Sequence, residues 1–239
     1  MPDIVSFGEL LIDFTSRDVG VRLEQAYTFD KNPGGAPANV AAGCASLGAD
    51  AALVAKVGDD CFVRFLANAM RDAGGDDSGI IMSDHFATQL AFVSISRSGK
   101  PDFEFHVLDP AHENITIDDL DEDLIRDAKV FHFGSLTLRE EPSATATLTA
   151  AQWAAEAGAV VSYDPNYRTS LWPDEELAVE TLVEPLEFVD VIKVSEEELV
   201  LLTGTDDPWH GLRSLMEMGP QLASVTFGER GCAFATPDL

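Results

Sequence analysis

The sequence predicts an α/β fold, with a mostly parallel β-sheet that carries helices on both faces. Short apolar runs rich in β-branched residues alternate along the chain with longer, Ala-rich stretches of helical character. Strands that are apolar throughout and separated by helices are typical of a parallel sheet buried on both sides. The 239 residues, 46% of them hydrophobic, suffice for one sizeable core. We therefore predict a single α/β domain over residues 1–239, with a small β-sheet lid.

The strands of the main sheet are predicted where apolar, β-branched residues follow one another without interruption. Each run is short enough for a strand and is followed by a stretch of helical composition. The predicted strands are residues 4–7, 52–57, 130–133, 159–163, 189–193 and 223–227.

The helices are predicted between these strands, where Ala, Leu and Glu dominate. An acidic run at residues 118–123 indicates the solvated start of a further short helix, because carboxylates suit the positive end of a helix dipole. A metal site in that run is the less favoured interpretation. The predicted longer helices are residues 37–47, 62–73, 143–157, 175–186, 196–202 and 208–218.

One stretch departs from the α/β pattern and predicts a β-hairpin over residues 88–107, with its turn at Ser98, Gly99, Lys100 and Pro101. An alternating hairpin needs a surface to cover. We expect it to pair with the early segment around residues 21–29, so that parts of 15–33 and 88–107 form the lid. The second arm alternates, with Phe103, Phe105 and Val107 on one face and Glu104 and His106 on the other.

The composition argues against several classes of partner. With 42 acidic and 15 basic residues, the formal net charge of −27 would repel nucleic acid and anionic lipid. No apolar run of about 18 residues predicts a membrane span, and the first residues do not resemble a signal peptide. The three cysteines, Cys44, Cys61 and Cys232, show no CxxC spacing, so we expect a reducing cytoplasm and neither disulfides nor a cysteine metal site.

The sharpest local signal is the small-residue stretch at 32–41. Gly34 and Gly35 allow the backbone to approach a ligand closely. The residues after them open a helix whose free N–H groups face the same space. Asn39, in that first turn, can both donate to and accept from a hydroxyl, as polyol recognition requires. The alternative is an ordinary loop-to-helix turn.

A second signal is Asp13, which follows the first apolar run. We expect it where a strand ends, at the rim on which α/β sheets place ligand groups. A carboxylate there can accept hydrogen bonds from two adjacent sugar hydroxyls. The alternative is a turn or cap residue.

Taken together, the motifs resemble the PfkB family of sugar kinases, which includes ribokinases and fructokinases, and they are most similar to fructokinases. Six segments occur in the family's order and cover nearly the whole chain. They are Gly8 to Phe14, Pro33 to Ala41, Lys56 to Asp60, Tyr163 to Pro173, Lys193 to Leu199 and Val225 to Cys232.

The resemblance implies a ribokinase-like fold, ATP and Mg²⁺ as cofactors, and a site assignment by motif. Glu198 would help to place Mg²⁺ through water, or would merely decorate a helix start. Arg168 would contact phosphates or an anionic part of the substrate, or form a surface ion pair. The substrate residues implied are Asp13, Gly34, Gly35, Asn39, Phe105 and Arg168, and the ATP residues implied are Asn166, Arg168, Ser195, Thr226, Gly228 and Gly231.

The chain also departs from the family pattern. Phe62 to Arg64 stand where a glycine is usual, the lid segment 105–110 has no arginine, and Ser195 replaces an asparagine. The family's Asp-Thr-x-Gly-Ala-Gly-Asp signature, which supplies the general base and an anion hole, does not occur before Leu239. Loss of a general base costs about 10²- to 10⁴-fold in rate. We therefore expect the domain to be C-terminally incomplete, with its catalytic residue beyond Leu239, and the chain alone to have little or no kinase activity.

The function predicted is ATP-dependent transfer of the γ-phosphoryl group to a hydroxyl of fructose or a related sugar. A 2-keto-3-deoxygluconate kinase and a non-catalytic protein that binds sugar or nucleotide stay open as alternatives. A nicotinamide dehydrogenase is excluded, because neither a Gly-x-Gly-x-x-Gly after the first strand nor a P-loop is present. The alternating face of the hairpin suggests a homodimer formed through the lid.

Overall fold

The fold is given by a computed structural model, which describes residues 2–97, 99 and 101–238. These residues form twelve strands and seven α-helices. Strands β1 to β12 are Ile4–Phe7, Leu11–Ser16, Phe29–Gly34, Ala51–Gly58, Ile80–Ser83, Leu90–Ile95, Pro101–Phe105, Val130–Gly134, Val160–Asp164, Val191–Ser195, Leu222–Thr226 and Cys232–Ala235. Helices α1 to α7 are Ala36–Ser46, Val63–Asp72, Glu122–Arg126, Ser143–Ala157, Glu175–Val183, Glu196–Thr203 and Pro208–Glu217.

The main sheet has eight strands in the order β12-β11-β10-β9-β8-β1-β4-β5. Every neighbouring pair is parallel except β11 and β12, which are antiparallel. The predicted α/β class with a mostly parallel sheet is therefore confirmed. Because parallel strands end at the same edge, the segments that follow β1, β8, β9, β10 and β11 meet along one rim.

A second sheet of four strands, in the order β3-β2-β6-β7, forms the lid. Strands β2 and β6 are parallel, and each has an antiparallel outer neighbour. The expected pairing of the hairpin with residues 21–29 is not found: that segment holds a 3-10 turn at Leu23–Gln25, and the hairpin strand β6 pairs with Leu11–Ser16. The other neighbour of Leu11–Ser16 is Phe29–Gly34. Of the predicted turn, Ser98 and Lys100 lie outside the described residues.

The core lies on both faces of the main sheet. On one face Phe7, Phe131, Phe133 and Tyr163 are fully buried, with the Phe133 and Tyr163 rings stacked at 4.6 Å. The other face packs β4 against α1 and α2, through side chains such as Leu53 and Leu66. Burying each such side chain contributes about 1.5–3 kcal/mol, so this core fixes the sheet whose rim carries the candidate site.

Aspartate side chains cap the starts of three helices. Asp121, Asp174 and Asp207 each accept a hydrogen bond from the third residue of the helix that follows. The acidic run at 118–123 is only partly a helix start, because Asp119 belongs to a preceding 3-10 turn and forms an ion pair with Lys56 at 2.7 Å.

In the part of the chain that the structure describes, no helix is both long enough and apolar enough to cross a membrane.

Candidate active site

A cavity of about 300 Å³ lies between the lid and the rim of the main sheet. It brings together segments that are far apart in sequence: the β1–β2 connection, the start of α1, the lid strand β7 and the segment after β9. Its lining residues are Glu9, Leu11, Asp13, Gly35, Ala36, Asn39, Phe103, Phe105, Leu136, Asn166 and Arg168.

Asp13 lies in the middle of β2, opposite Asn32 and Ala91 in the lid sheet. The expectation that it ends a strand of the main sheet is wrong, because the chain leaves that sheet after Phe7 and enters the lid at Leu11. Its side chain nevertheless faces the cavity. Burial raises the pKa of Asp13, and the positive charge of Arg168 opposes that rise. Among the described residues no donor is hydrogen-bonded to this carboxylate, which leaves it able to accept from a ligand.

The two glycines leave room for the acids beside them. A Cβ on Gly34 would lie 2.3 Å from Oδ2 of Asp13. Gly35 has φ of 106°, and a Cβ there would lie 2.2 Å from the backbone oxygen of Glu9. A side chain at either position would therefore displace the wall of the cavity. Helix α1 begins directly after them and presents Asn39 to the same space.

Glu9 also lines the cavity, although it was not predicted as a site residue from the motif Gly8 to Phe14 that contains it. The residue is 2% exposed, and its Oε1 accepts a hydrogen bond from the backbone N–H of Ala36 at 2.7 Å. Burial raises the pKa of Glu9 to about 7, against the lowering effect of that hydrogen bond and of Arg168. An acidic residue after an apolar strand is usually exposed, so only the tertiary structure identifies this one as buried.

Arg168 supplies a positive charge to the cavity. Its guanidinium lies 5.1 Å from the centre of the Phe103 ring and donates to the carbonyls of Asn166 and Tyr167. Among the described residues it makes no ion pair, so the surface ion pair considered as an alternative is not found there. Asn166 reaches the cavity through a left-handed turn, with φ of 47°, in which its N–H donates to Asp164.

The lid closes the cavity with aromatic side chains. The rings of Phe103 and Phe105 are stacked with their centres 6.4 Å apart, and both line the cavity. The alternating face of the hairpin therefore looks toward the main body. It no longer supports pairing with a second lid, and the homodimer stays a prediction.

The remaining predicted residues lie at the neighbouring strand ends of the same rim. Ser195 ends β10 and is paired in register with Thr226, which ends β11. Gly228 and Gly231, with φ of 59° and 98°, form the turn that leads into β12, closed by a 2.8 Å bond from the Phe227 N–H to the Gly231 carbonyl. The structure thus places Ser195, Thr226, Gly228 and Gly231 together, beside the cavity rather than in it.

Glu198 is buried, and backbone groups hold both of its oxygens. Oε1 accepts from the N–H of Tyr167 at 2.7 Å, and Oε2 accepts from the N–H of Ser195 at 2.6 Å. The Ser195 hydroxyl accepts from the Glu198 N–H in return, which completes a capping box at the start of α6. Both residues also line a cleft of about 640 Å³.

A metal cage built by the protein is not found in the described residues, where no group of three or more His, Cys, Asp or Glu is arranged to hold an ion. Mg²⁺ keeps most of its waters and often takes only one or two protein ligands. The carboxylate of Glu198 has lone pairs beyond those used by the two N–H groups, so it fits an ion held through water. It does not fit direct coordination as well, because that would compete with the cap.

Comparison with known proteins agrees with this architecture. The family model described as pfkB family carbohydrate kinase matches residues 1–238. The chain is 43% identical to a probable chloroplastic fructokinase-6 of Arabidopsis thaliana, over 100% of this chain and 62% of that protein. It is 44% identical to fructokinase-1 of Zea mays, over 99% of this chain and 73% of that protein. It therefore spans about two thirds of the length of these relatives.

Solved structures show the same fold. A fructokinase from Xylella fastidiosa with bound ATP superimposes with a TM-score of 0.87 at 31% identity, over 100% of this chain and 76% of that one. A PfkB protein from Polaromonas sp. JS666 gives a TM-score of 0.89 at 28% identity, over 100% and 80% of the two chains.

Proposed function

Because the chain belongs to the pfkB family of carbohydrate kinases, we propose that it binds fructose or a close relative in the cavity under the lid. ATP would bind at the adjacent rim, for transfer of its γ-phosphoryl group to a hydroxyl of that sugar. The observation that carries the proposal is the convergence of Asp13, Asn39 and Arg168 on one cavity, beneath two aromatic lid residues.

The polar groups of the cavity suit a neutral polyol. Asp13 can accept from two hydroxyls, and the Asn39 amide can donate and accept. Among the described residues that line the cavity, two carry carboxyl groups, Glu9 and Asp13, and one carries a positive charge, Arg168. This balance favours a neutral ketohexose over a sugar acid. The aromatic faces of Phe103 and Phe105 would cover the apolar side of the sugar and exclude water, which protects ATP from hydrolysis.

The binding of ATP is supported by the fructokinase from Xylella fastidiosa and by a sugar kinase from Pyrococcus horikoshii, both solved with ATP. In this chain the nucleotide would lie along Ser195, Thr226 and the turn of Gly228 and Gly231. Its phosphates would point toward Asn166 and Arg168, which lie between that edge and the cavity. The guanidinium can chelate phosphate oxygens.

Mg²⁺, when bound, would neutralise charge on the phosphates and help to hold them in line with the sugar hydroxyl. Glu198 would orient it through water, since both of its oxygens already accept backbone hydrogen bonds. We assign to this chain the binding and positioning of both substrates, and we assign the general base to none of its described residues.

A second candidate substrate is 2-keto-3-deoxygluconate, which Arg168 favours because it supplies the cation that a sugar carboxylate needs. The test measures binding and turnover separately. Calorimetry with fructose, 2-keto-3-deoxygluconate and ADP reports affinity, and ADP release from MgATP with each sugar reports phosphorylation. We expect fructose to bind more tightly than the acid.

Each outcome discriminates between the functions. Tighter binding of the acid would replace fructose by the second candidate. Binding of sugar and ADP with no ADP release would support a non-catalytic binder for this chain. No binding of either sugar at millimolar concentration would contradict the proposal.

A further inference from the structure

Helix α1 begins beside the cavity without a cap of its own. Its N-cap residue is Gly35, which has no side chain, and its first turn contains no acidic residue. The first N–H groups of a helix need acceptors, which a local Ser, Thr, Asp or Asn usually supplies. Here the acceptor for the Ala36 N–H is the carboxyl group of Glu9, from a segment 27 residues earlier.

The hydrogen bond of Glu9 links the two places where the chain crosses between the main sheet and the lid sheet. It lies where the chain leaves β1 for the lid strand β2, and Ala36 lies where the chain returns from β3 to the body. The two passages are packed tightly: a Cβ on Gly8 would lie 2.6 Å from Pro37, and the Ser6 hydroxyl donates to the Pro37 carbonyl at 2.7 Å. Glu9 provides the only side-chain hydrogen bond to the Ala36 N–H among the described residues.

The bond also connects the two polar groups expected to hold the sugar. Asn39 lies in the first turn of α1, and its own N–H makes the first intrahelical bond, to Gly35, at 2.9 Å. Asp13 lies on the strand that follows Glu9. A shift of the α1 start relative to residue 9 would therefore change the spacing between Asn39 and Asp13.

We propose that Glu9 is a positioning residue of the sugar pocket, which caps α1 across the two sheet connections and so fixes Asn39 relative to Asp13. This role rests on the proposed function. Glu9 acts through the helix start and is not assigned a contact with the reacting atoms.

The charge of Glu9 should matter as well as its shape. The charged groups that face it are Asp13 on β2 and Arg168 after β9, and α1 contributes the positive end of its dipole. An ionised carboxylate is the stronger acceptor for an N–H and the better partner for that dipole. Burial raises the pKa of Glu9 to about 7, so the capping group changes form near neutral pH. Sugar affinity is expected to rise with pH between 6 and 8.

The test compares Glu9→Gln and Glu9→Leu with the wild type and with Glu180→Gln, an exposed glutamate on α5 that serves as control. Fructose and ADP affinities are measured by calorimetry at pH 6 and pH 8. We expect Glu9→Leu to weaken fructose binding about 5- to 10-fold at pH 8, the scale of a lost helix cap, and to leave ADP affinity unchanged. Glu9→Gln keeps an acceptor, so it should restore most of the affinity and reduce the pH dependence to the part that Asp13 contributes.

A ligand-free measurement separates this inference from the proposed function. Hydrogen exchange of the Asn39 and Val40 amides should be about 5- to 10-fold faster in Glu9→Leu than in the wild type. If the wild type binds no fructose, the proposed function fails, and the exchange rates still decide the role of Glu9.

Three results would overturn the inference. The first is unchanged exchange at the start of α1 in Glu9→Leu. The second is equal loss of fructose and ADP binding, which indicates a general folding role. The third is an unaltered pH profile in Glu9→Gln, which decides the matter even if Glu9→Leu does not fold.

Discussion

Asp13 and Glu198 are both acidic side chains at the candidate site, and they differ in what surrounds their oxygens. Asp13 faces the cavity, and among the described residues nothing donates to it. Glu198 is 5% exposed, and each of its oxygens accepts a backbone N–H. A buried carboxylate held by two N–H groups is part of the framework. One without protein donors, turned to a cavity, has its acceptor capacity left for a ligand.

The same difference separates the two sides of the site. On the side proposed for the sugar, the lid and the glycines border an open cavity into which Asp13 faces. On the side proposed for the nucleotide, Glu198 ties the segment after β9 to the end of β10. The motif residue predicted for Mg²⁺ is therefore first a support of the rim, and any contact with the ion is added to that role.

The largest effect is expected for Glu198→Ala. The change leaves the N–H groups of Tyr167 and Ser195 without acceptors, at about 1–3 kcal/mol each. The free energy of unfolding should fall by about 3 kcal/mol, measured by urea denaturation. Glu180→Ala, on the exposed face of α5, should change it by less than about 0.5 kcal/mol. If Glu198→Ala lowered the free energy of unfolding by less than about 1 kcal/mol, Glu198 would not be a structural residue in contrast to Asp13.

A smaller effect, on binding rather than folding, is expected for Asp13→Asn. Losing one charge-assisted hydrogen bond costs about 1.5–3 kcal/mol, so fructose affinity should fall about 10- to 100-fold. Stability should not fall, because the carboxylate has no donor to lose among the described residues. Calorimetry and urea denaturation measure the two quantities. Asp72→Asn, exposed at the end of α2, is the matched control, and equal losses of stability and affinity in Asp13→Asn would make Asp13 a framework residue.

The smallest effect concerns pH. His132 is buried on β8 with its Nδ1 3.1 Å from the Ser162 hydroxyl, and burial, aided by the charge of Lys193, lowers its pKa to about 4. A histidine with a folded pKa below its unfolded value contributes stability that is present above about pH 6.5 and is lost as the pH falls toward the folded pKa. Between pH 6.5 and 5.5 its contribution should fall by about 1 kcal/mol.

Urea denaturation of His132→Asn at the two pH values checks this expectation. The variant should lose about 1 kcal/mol less than the wild type over that interval, whereas the exposed His85→Asn should behave as the wild type does. Identical pH dependence in His132→Asn and the wild type would show that the ring does not titrate as its burial implies.

The main sheet could be predicted from sequence because its strands are continuous apolar runs. Strands β1, β4, β8, β9, β10 and β11 lie within two residues of the predicted ranges. Most of the lid strand β3 lies within the range 15–33 predicted for the lid, but its bounds were not predicted, since Asp30, Lys31, Asn32, Pro33 and Gly34 give it no apolar pattern. Its pairing with β2 appears only in the structure.

The residues of the cavity could be predicted from sequence where they belong to recognisable motifs. Asp13, Gly35, Asn39, Phe105, Asn166 and Arg168, all named from sequence, line one cavity, and Gly34 lies against Asp13. Glu9 could not be found in this way, because its burial and its hydrogen bond from the Ala36 N–H arise only when two distant segments pack together. The backbone hydrogen bonds that Glu198 accepts could not be predicted from the sequence either, because one donor, the N–H of Tyr167, lies in a different strand connection.

The parallel pairing of β2 with β6 also determines when the cavity can exist. The segment from β3 to β5, which includes α1 and α2, lies between these strands in the sequence, so pairing β2 with β6 closes a loop that contains the whole segment. Contacts between such distant residues form slowly and late. A folding intermediate in which the main sheet has formed but the lid sheet has not would bury most of the apolar surface and still lack the cavity, because the lid forms one of its walls. Sugar affinity would then report the completion of folding rather than its onset.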